Sequence, residues 1–338
     1  MKALIWIIVL VVLIGGAFGG WRWKIENDRK WREEAIPMKD KVARVPEFWT
    51  ARFLAQRLQK TGKIRDTETF LAAAKEVGLE QVAIGGYILP EKASPRDLAK
   101  IFKDSPDLVK ITFPEGWTAH KMAERLKANK FASAAQFETL AYPPGTVVSP
   151  LEGSLFPETY QLPVRGSAKE LAQILQKRFG EIAAKLPKKA PLGRDDKPLT
   201  QREIVTLASL VERETSEPSE RALVAGVLMN RLRKGMRLQC DASVQYVRER
   251  MAAQGKLKEG HRSRTYYRDL ELASPYNTYR HKGLPPGPIC NPGEAALRAA
   301  AAPKFSPYFF YVMNPSAGRH LFAKTFDEHK RNIRLAGQ

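Results

Sequence analysis

Histidine and cysteine are scarce in this chain: five of the first and two of the second among 338 residues, with no C-x-x-C or H-x-x-x-H spacing. That leaves no thiolate or imidazole cluster for zinc, and neither a metal nor a cofactor is expected. Acidic residues are also in deficit, 36 Asp and Glu against 56 Lys and Arg, for a net charge of +20. A surface of that sign attracts polyanions. The sequence nevertheless lacks a zinc finger, an RNA-binding signature and any basic-aromatic repeat, so nucleic acid is not expected as a partner. Acidic membrane surface and carboxylate-bearing cell-wall polymer remain candidates.

From Ala3 to Trp21, nineteen residues pass without a charge. As a helix this run spans about 28 Å, close to a bilayer core, and it is long for a secretory h-region. A single transmembrane helix is expected there. Lys2 alone precedes it, whereas Arg22, Lys24, Arg29, Lys30 and Arg32 follow. By charge alone the bulk of the chain would stay cytoplasmic. The expected organisation is α+β: a tail and anchor over 1–24, a charged juxtamembrane linker over 25–39, a small βααβ module over 40–105, and a mixed α+β domain over 106–338.

Residues 46–58, PEFWTARFLAQRL, and 114–126, PEGWTAHKMAERL, agree at eight of thirteen positions. In each copy a β-rich approach leads through Pro-Glu-x-Trp to an amphipathic helix with Thr50 or Thr118 as N-cap. Trp49 and Trp117 are candidates for sugar stacking, although a Trp beside a helix start is more often a core filler. Ser94 is a further expected N-cap, and MRLQCDASVQYV (236–247) alternates partly like a strand.

Thr200 and Glu203 form the sequence pattern of a capping box and set the register of the helix containing LASLVERET (207–215). At about 100° per residue, Glu214 falls about 20° from Leu207, inside the stripe made by Ile204, Leu207, Leu210 and Val211. Glu212 lies about 140° away, where a charge is ordinary by the same count. A carboxylate on the apolar face is disfavoured as an anion, so its pKa should rise above about 4.3. Such a group can hold a proton near neutrality and deliver it to a glycosidic oxygen. The alternative is a structural ion pair with Arg221, Arg231 or Arg233. A second helix follows with Ser219 as expected cap, then a rigid polar loop, SPYNTYRHKGLPPGPICNPG (274–293), then a β-hairpin and a closing helix.

Taken in order, LASLVERET, ERALVAGVLMNRLRKGMRLQCDASVQY, SPYNTYRHKGLPPGPICNPG and GRHLFAKTFDEH resemble the YceG-like family of endolytic murein transglycosylases. The resemblance covers nearly the whole chain. It implies a membrane anchor, a LysM-like module over 40–105, a YceG-like catalytic domain to the C-terminus, and cleavage of the MurNAc–GlcNAc bond within peptidoglycan glycan strands to leave 1,6-anhydro ends. It makes Glu214 the general acid/base, and trimming or termination of nascent strands the biological task. By motif match it sets Gln239, Asp241, Tyr276, Asn277, Thr278, Asn291 and Glu152 around the glycan. It also puts a short tail in the cytoplasm and the bulk outside the bacterial inner membrane, against the local charge count, and peptidoglycan synthases are carried as candidate partners. Cys240 and Cys290 both fall in motif segments, so a disulfide between them is an expectation. Competing readings are a muramidase using Asp241 or Glu217 to activate water, an inactive murein-binding scaffold, and a tethered nucleic-acid binder.

Overall fold

A computed structural model of the protein describes residues 32–38, 40–187, 191, 193, 197–257 and 265–337. The expected transmembrane span Ala3–Trp21 and most of the expected linker lie outside the described residues. Among the described residues no helix is long and apolar enough to cross a membrane.

The chain forms two compact units, the first running to Ile111 and including Tyr160–Val164, the second comprising Thr112–Thr159 and Arg165–Gln338. The first unit holds β1 (Ile36–Pro37), β2 (Val42–Val45), β3 (Trp49–Thr50), α1 (Ala51–Lys60), α2 (Thr67–Val77), β4 (Gln81–Val82), β5 (Gly85–Ile88), β6 (Lys92–Ala93), α3 (Pro95–Lys103), β7 (Leu108–Thr112) and β8 (Thr159–Pro163). Its main sheet has the order β2-β5-β7-β8, and β2 pairs antiparallel with β5. The βααβ order is therefore that of β2, α1, α2 and β5.

Local chemistry sets these helices. Thr50 accepts from the amide of Phe53, Asp66 from that of Thr69, and Ser94 with Asp97 closes a reciprocal capping box. Each cap satisfies amides that the first helical turn leaves unpaired. Trp49, Leu54, Phe70, Tyr87, Leu98 and Phe102 form the core. Trp49 is thus a core residue, edge-on to Phe53 at 5.2 Å.

Two expectations shift. The segment read as linker contributes β1, which pairs with β6, and a buried Met38. The boundary expected at 105/106 gives way to a first unit that takes β7 and a strand from nearly fifty residues further along the chain.

The second unit is mostly helical: α4 (Ala119–Ala128), α5 (Ala134–Ala141), α6 (Ala168–Ala183), α7 (Gln201–Glu214), α8 (Arg221–Arg233), α9 (Asp241–Ala253), α10 (Glu294–Ala301) and α11 (Phe326–Leu335), with the antiparallel hairpin β9 (Phe310–Asn314) and β10 (Arg319–Ala323). Thr118 caps α4 as Thr50 caps α1, so the duplicated motif builds one ten-residue helix in each unit. Thr200 and Glu203 form the capping box of α7. Residues Val205–Val211 of α7 are all buried, which makes it the central helix of this unit.

Three further expectations are corrected. Residues 241–247, expected as part of a strand, begin helix α9; both of its faces are buried, and a short apolar alternation cannot separate that from a strand. Ser219 caps no helix, because a 3₁₀ turn over Pro218–Glu220 precedes α8 and its hydroxyl donates to Glu217 at 2.7 Å. Cys240 and Cys290 are free and buried rather than bridged; the thiol of Cys290 lies 3.4 Å from the carbonyl of Ser209.

Candidate active site

Helix α7 ends at Glu214, and the chain returns through α8 to the turn that starts α9. Gln239, in that turn, has φ of 55°, a left-handed conformation that few non-glycine residues adopt. Strain of this kind persists where surroundings over-determine it. Here the Gln239 amide donates to the carbonyl of Thr278, the next amide, Cys240, donates to the Thr278 hydroxyl at 2.9 Å, and Arg231 lies 3.4 Å from the Gln239 side-chain oxygen. Asp241 is thereby held at the first position of α9, exposed, with the Tyr279 hydroxyl donating to it at 2.6 Å.

The hairpin supplies the third wall. Asn230 of α8 donates to the carbonyls of Ser306 and Tyr308, and Arg231 donates to that of Phe309 at 2.6 Å. Glu220 receives both the amide and the Nδ1 of buried His320. These bonds fix β9 so that the Tyr311 hydroxyl donates to Glu214 Oε2 at 2.9 Å.

Glu214 keeps an opening to solvent and is otherwise surrounded by protein. Burial lifts its pKa to about 7, and the charge of Asp241 adds to the rise; the Tyr311 hydroxyl, the Ala242 amide and Arg231 oppose it. Among the described residues no cation stands within ion-pair distance of it: Arg221 goes to Glu212 at 3.0 Å and Arg231 to backbone carbonyls. The structural ion-pair alternative fails here. A carboxyl with this pKa can be acid and base in turn at neutral pH.

Glu212 departs from expectation. Its side chain is 6% exposed, paired with Arg221 and accepting from the Gly293 amide, because α7 is packed on nearly every side. Glu217 is half-buried and caps the turn before α8, and the hydrogen bonds from Ser219 hold its carboxyl below the usual range.

The remaining sequence candidates divide. Asp241 is close enough to Glu214 to influence its charge, and Gln239 stands two residues before Asp241 in the same turn. Thr278 and Asn277 are buried; Thr278 holds the Cys240 turn, and Asn277 donates to the carbonyls of Leu270 and Leu272. Both brace the loop that presents Tyr279. Asn291 is fully buried and bonds the amides of Gly153 and Leu155, the carbonyl of Trp117 and Glu152 Oε1. Glu152 is 2% exposed and also accepts from the Ala119 amide and the Tyr142 hydroxyl. Asn277, Thr278, Asn291 and Glu152 thus all have their polar atoms bonded within the protein. Tyr276, 3% exposed, packs against Tyr246 with the rings tilted at 50° and 4.9 Å apart, and lines a separate cleft of about 840 Å³. Trp117 is half-buried under Arg125. The sequence did not single out Tyr279 or Tyr311; an aromatic run in a hairpin carries no local sign of which ring meets the carboxylate.

Residues 43–335 match the YceG-like family. The chain belongs to that family. Endolytic murein transglycosylases of Streptococcus pneumoniae R6 and Bacillus subtilis 168 are similar to it: the first is 29% identical over 97% of this chain, the second 37% identical over 54%. Those alignments take in 63% and 47% of the respective relatives, so the chain spans under two thirds of their length. Among solved structures, a putative YceG-like protein of Listeria monocytogenes superposes with a TM-score of 0.52 at 28% identity, over 88% of this chain and 99% of that one. The mixed α+β architecture is that of a YceG-like protein.

Proposed function

We propose that this YceG-like chain is a lytic endotransglycosylase of murein, with Glu214 as its acid and base. The single observation that carries the reading is a carboxyl at the end of a buried helix that, among the described residues, has no cation partner and that burial lifts to a pKa of about 7. The names of the pneumococcal and Bacillus relatives support the substrate class.

In the proposed reaction, protonated Glu214 gives its proton to the glycosidic oxygen as the C1–O bond of the muramic residue breaks. The carboxylate then takes the proton of the 6-hydroxyl of that same sugar, whose oxygen bonds to C1 and closes a 1,6-anhydro ring. No water is consumed. The nucleophile comes from the substrate, so one carboxyl suffices, unlike the pairs used in hydrolysis. Tyr311 steadies the anionic form between the two proton transfers, and exposed Gln239, Asp241 and half-buried Tyr279 are the groups available to the glycan.

Hydrolysis is the second reading, favoured by the presence of Asp241 close enough to influence Glu214. Mass spectrometry of fragments released from purified sacculi separates the two. Anhydro-ended products, one water lighter than reducing-end products, made by the wild type and absent with Glu214→Gln, are the expected result. Reducing ends would make Asp241 the base for water.

The proposal extends to the anchor, with Ala3–Trp21 spanning the inner membrane, the catalytic unit outside it, and residues 40–105 acting as a LysM-like glycan-binding module beside a synthase. Membrane retention of the chain through alkaline carbonate extraction, with the C-terminal unit cut by protease only from the periplasmic side, is the expected result for the anchor. Release by carbonate would sink it.

A further inference from the structure

Helix α9 carries Tyr246 and Arg250 one turn apart, which puts both on one face. That face lines the cleft of about 840 Å³ together with Tyr142, at the end of α5, and Tyr276. The guanidinium carbon of Arg250 lies 3.4 Å from the centre of the Tyr142 ring. Among the described residues, Arg250 meets no carboxylate and no hydrogen-bond acceptor through its side chain, so its planar fork of donors faces the cleft unused. Glu152, behind Tyr142, feels the charge of Arg250, but its two oxygens are bonded to Ala119, Asn291 and Tyr142 rather than to the guanidinium.

The rings of Tyr246 and Tyr276 line the same cleft. The two residues are 1% and 3% exposed, and neither hydroxyl has a hydrogen-bond partner in the protein. Their hydroxyls turn inward, that of Tyr276 toward Gly287, which leaves Arg250 as the polar group this part of the wall presents to the cleft. The other charges on the lining are Glu138 and Lys256, which offset each other, and Glu138 is already bonded to His120 at 2.5 Å. The balance of a single positive charge suits one carboxylate better than a doubly charged phosphoryl group. A guanidinium fork matches carboxylate geometry. Much of the remaining wall, including Ala135, Val147, Ala253 and Pro275, is small and apolar, and so accepts short aliphatic side chains.

We propose that this cleft binds a short peptide through its free carboxylate, with Arg250 as the anchoring cation. Resting on the murein reading for its source, the peptide is the stem carried by the muramic residues of the glycan. The site would then sense whether a strand is decorated.

The test is calorimetric titration of the full chain carrying Glu214→Gln with three murein tetrasaccharides: one with free-carboxylate peptides, one with those carboxylates amidated, one without peptides. The free-carboxylate ligand is expected to bind about tenfold more tightly than the other two, as one charge-assisted contact implies. Arg250→Gln, added to the same protein, should erase that difference, and Arg250→Lys should keep part of it. Equal affinities for all three ligands, or a preference that survives Arg250→Gln, would overturn the assignment. Amidation alters only the ligand, so that comparison decides even if an Arg250 variant loses its cooperative thermal transition. A protein that prefers the free carboxylate yet releases no fragments from sacculi loses the catalytic reading alone. One that cleaves sacculi without discriminating loses this cleft alone.

Discussion

At the scale of single residues, Glu214 is governed by the balance between burial and one phenol. The Tyr311 hydrogen bond favours the carboxylate and so opposes the rise caused by burial. The first step of the proposed reaction needs the protonated acid, so kcat/KM should fall as pH rises through about 7. Tyr311→Phe removes the donor, the acid stays protonated to higher pH, and the alkaline limb should move upward while the overall rate falls. A limb that stays in place would remove Tyr311 from the mechanism. Linkage gives a second expectation. A carboxyl raised from 4.5 to about 7 by folding adds its full share to stability below pH 4.5 and loses it as pH climbs through 7. Glu214→Gln should therefore be more stable than the wild type at pH 8, by on the order of 2 kcal/mol, and the two should converge near pH 4.5. Denaturant titrations at the two pH values read this directly.

Among the elements, what was legible in the sequence was local. Thr50, Ser94, Thr118 and the Thr200–Glu203 box announce helix starts because a cap and its amide are three residues apart. The face of Glu214 was legible for the same reason. Glu212 was misread because a helical wheel assumes one wet side, and α7 has scarcely any. Tyr279, Tyr311 and the committed bonds of Asn277 and Asn291 depend on partners far away in sequence, which no periodicity records. Helix α8 gives an element-scale test. A Cβ on Gly226 would lie 2.0 Å from the carbonyl oxygen of Lys304, whose own amide donates to the Ala222 carbonyl. Alanine normally favours a helix interior over glycine by about 1 kcal/mol. Gly226→Ala should instead destabilise, by roughly 2 kcal/mol or more, because a backbone must move. An unchanged or raised melting temperature would show that the Lys304 segment yields freely.

For the molecule as a whole, the decisive feature is that the first unit is not one continuous piece of chain. Its sheet runs β2-β5-β7-β8, and β8 comes from beyond a long stretch of the second unit. Sequence composition marks no boundary there, since pairing between distant strands leaves no local trace. The segment 40–105, though it reads as a module, contains only β2 and β5 of that sheet. Expressed alone, it should show no cooperative thermal transition by circular dichroism, whereas a sharp one would mean that the outer strands are dispensable. The same topology has a consequence for biosynthesis. A ribosome delivers the chain from the N-terminus, and the strand that completes the first unit emerges only after Thr112–Thr159, part of the second, has been made. The first unit cannot finish folding before the second has begun to appear, so an arrested or truncated nascent chain is left with an open sheet edge that invites pairing with a neighbour.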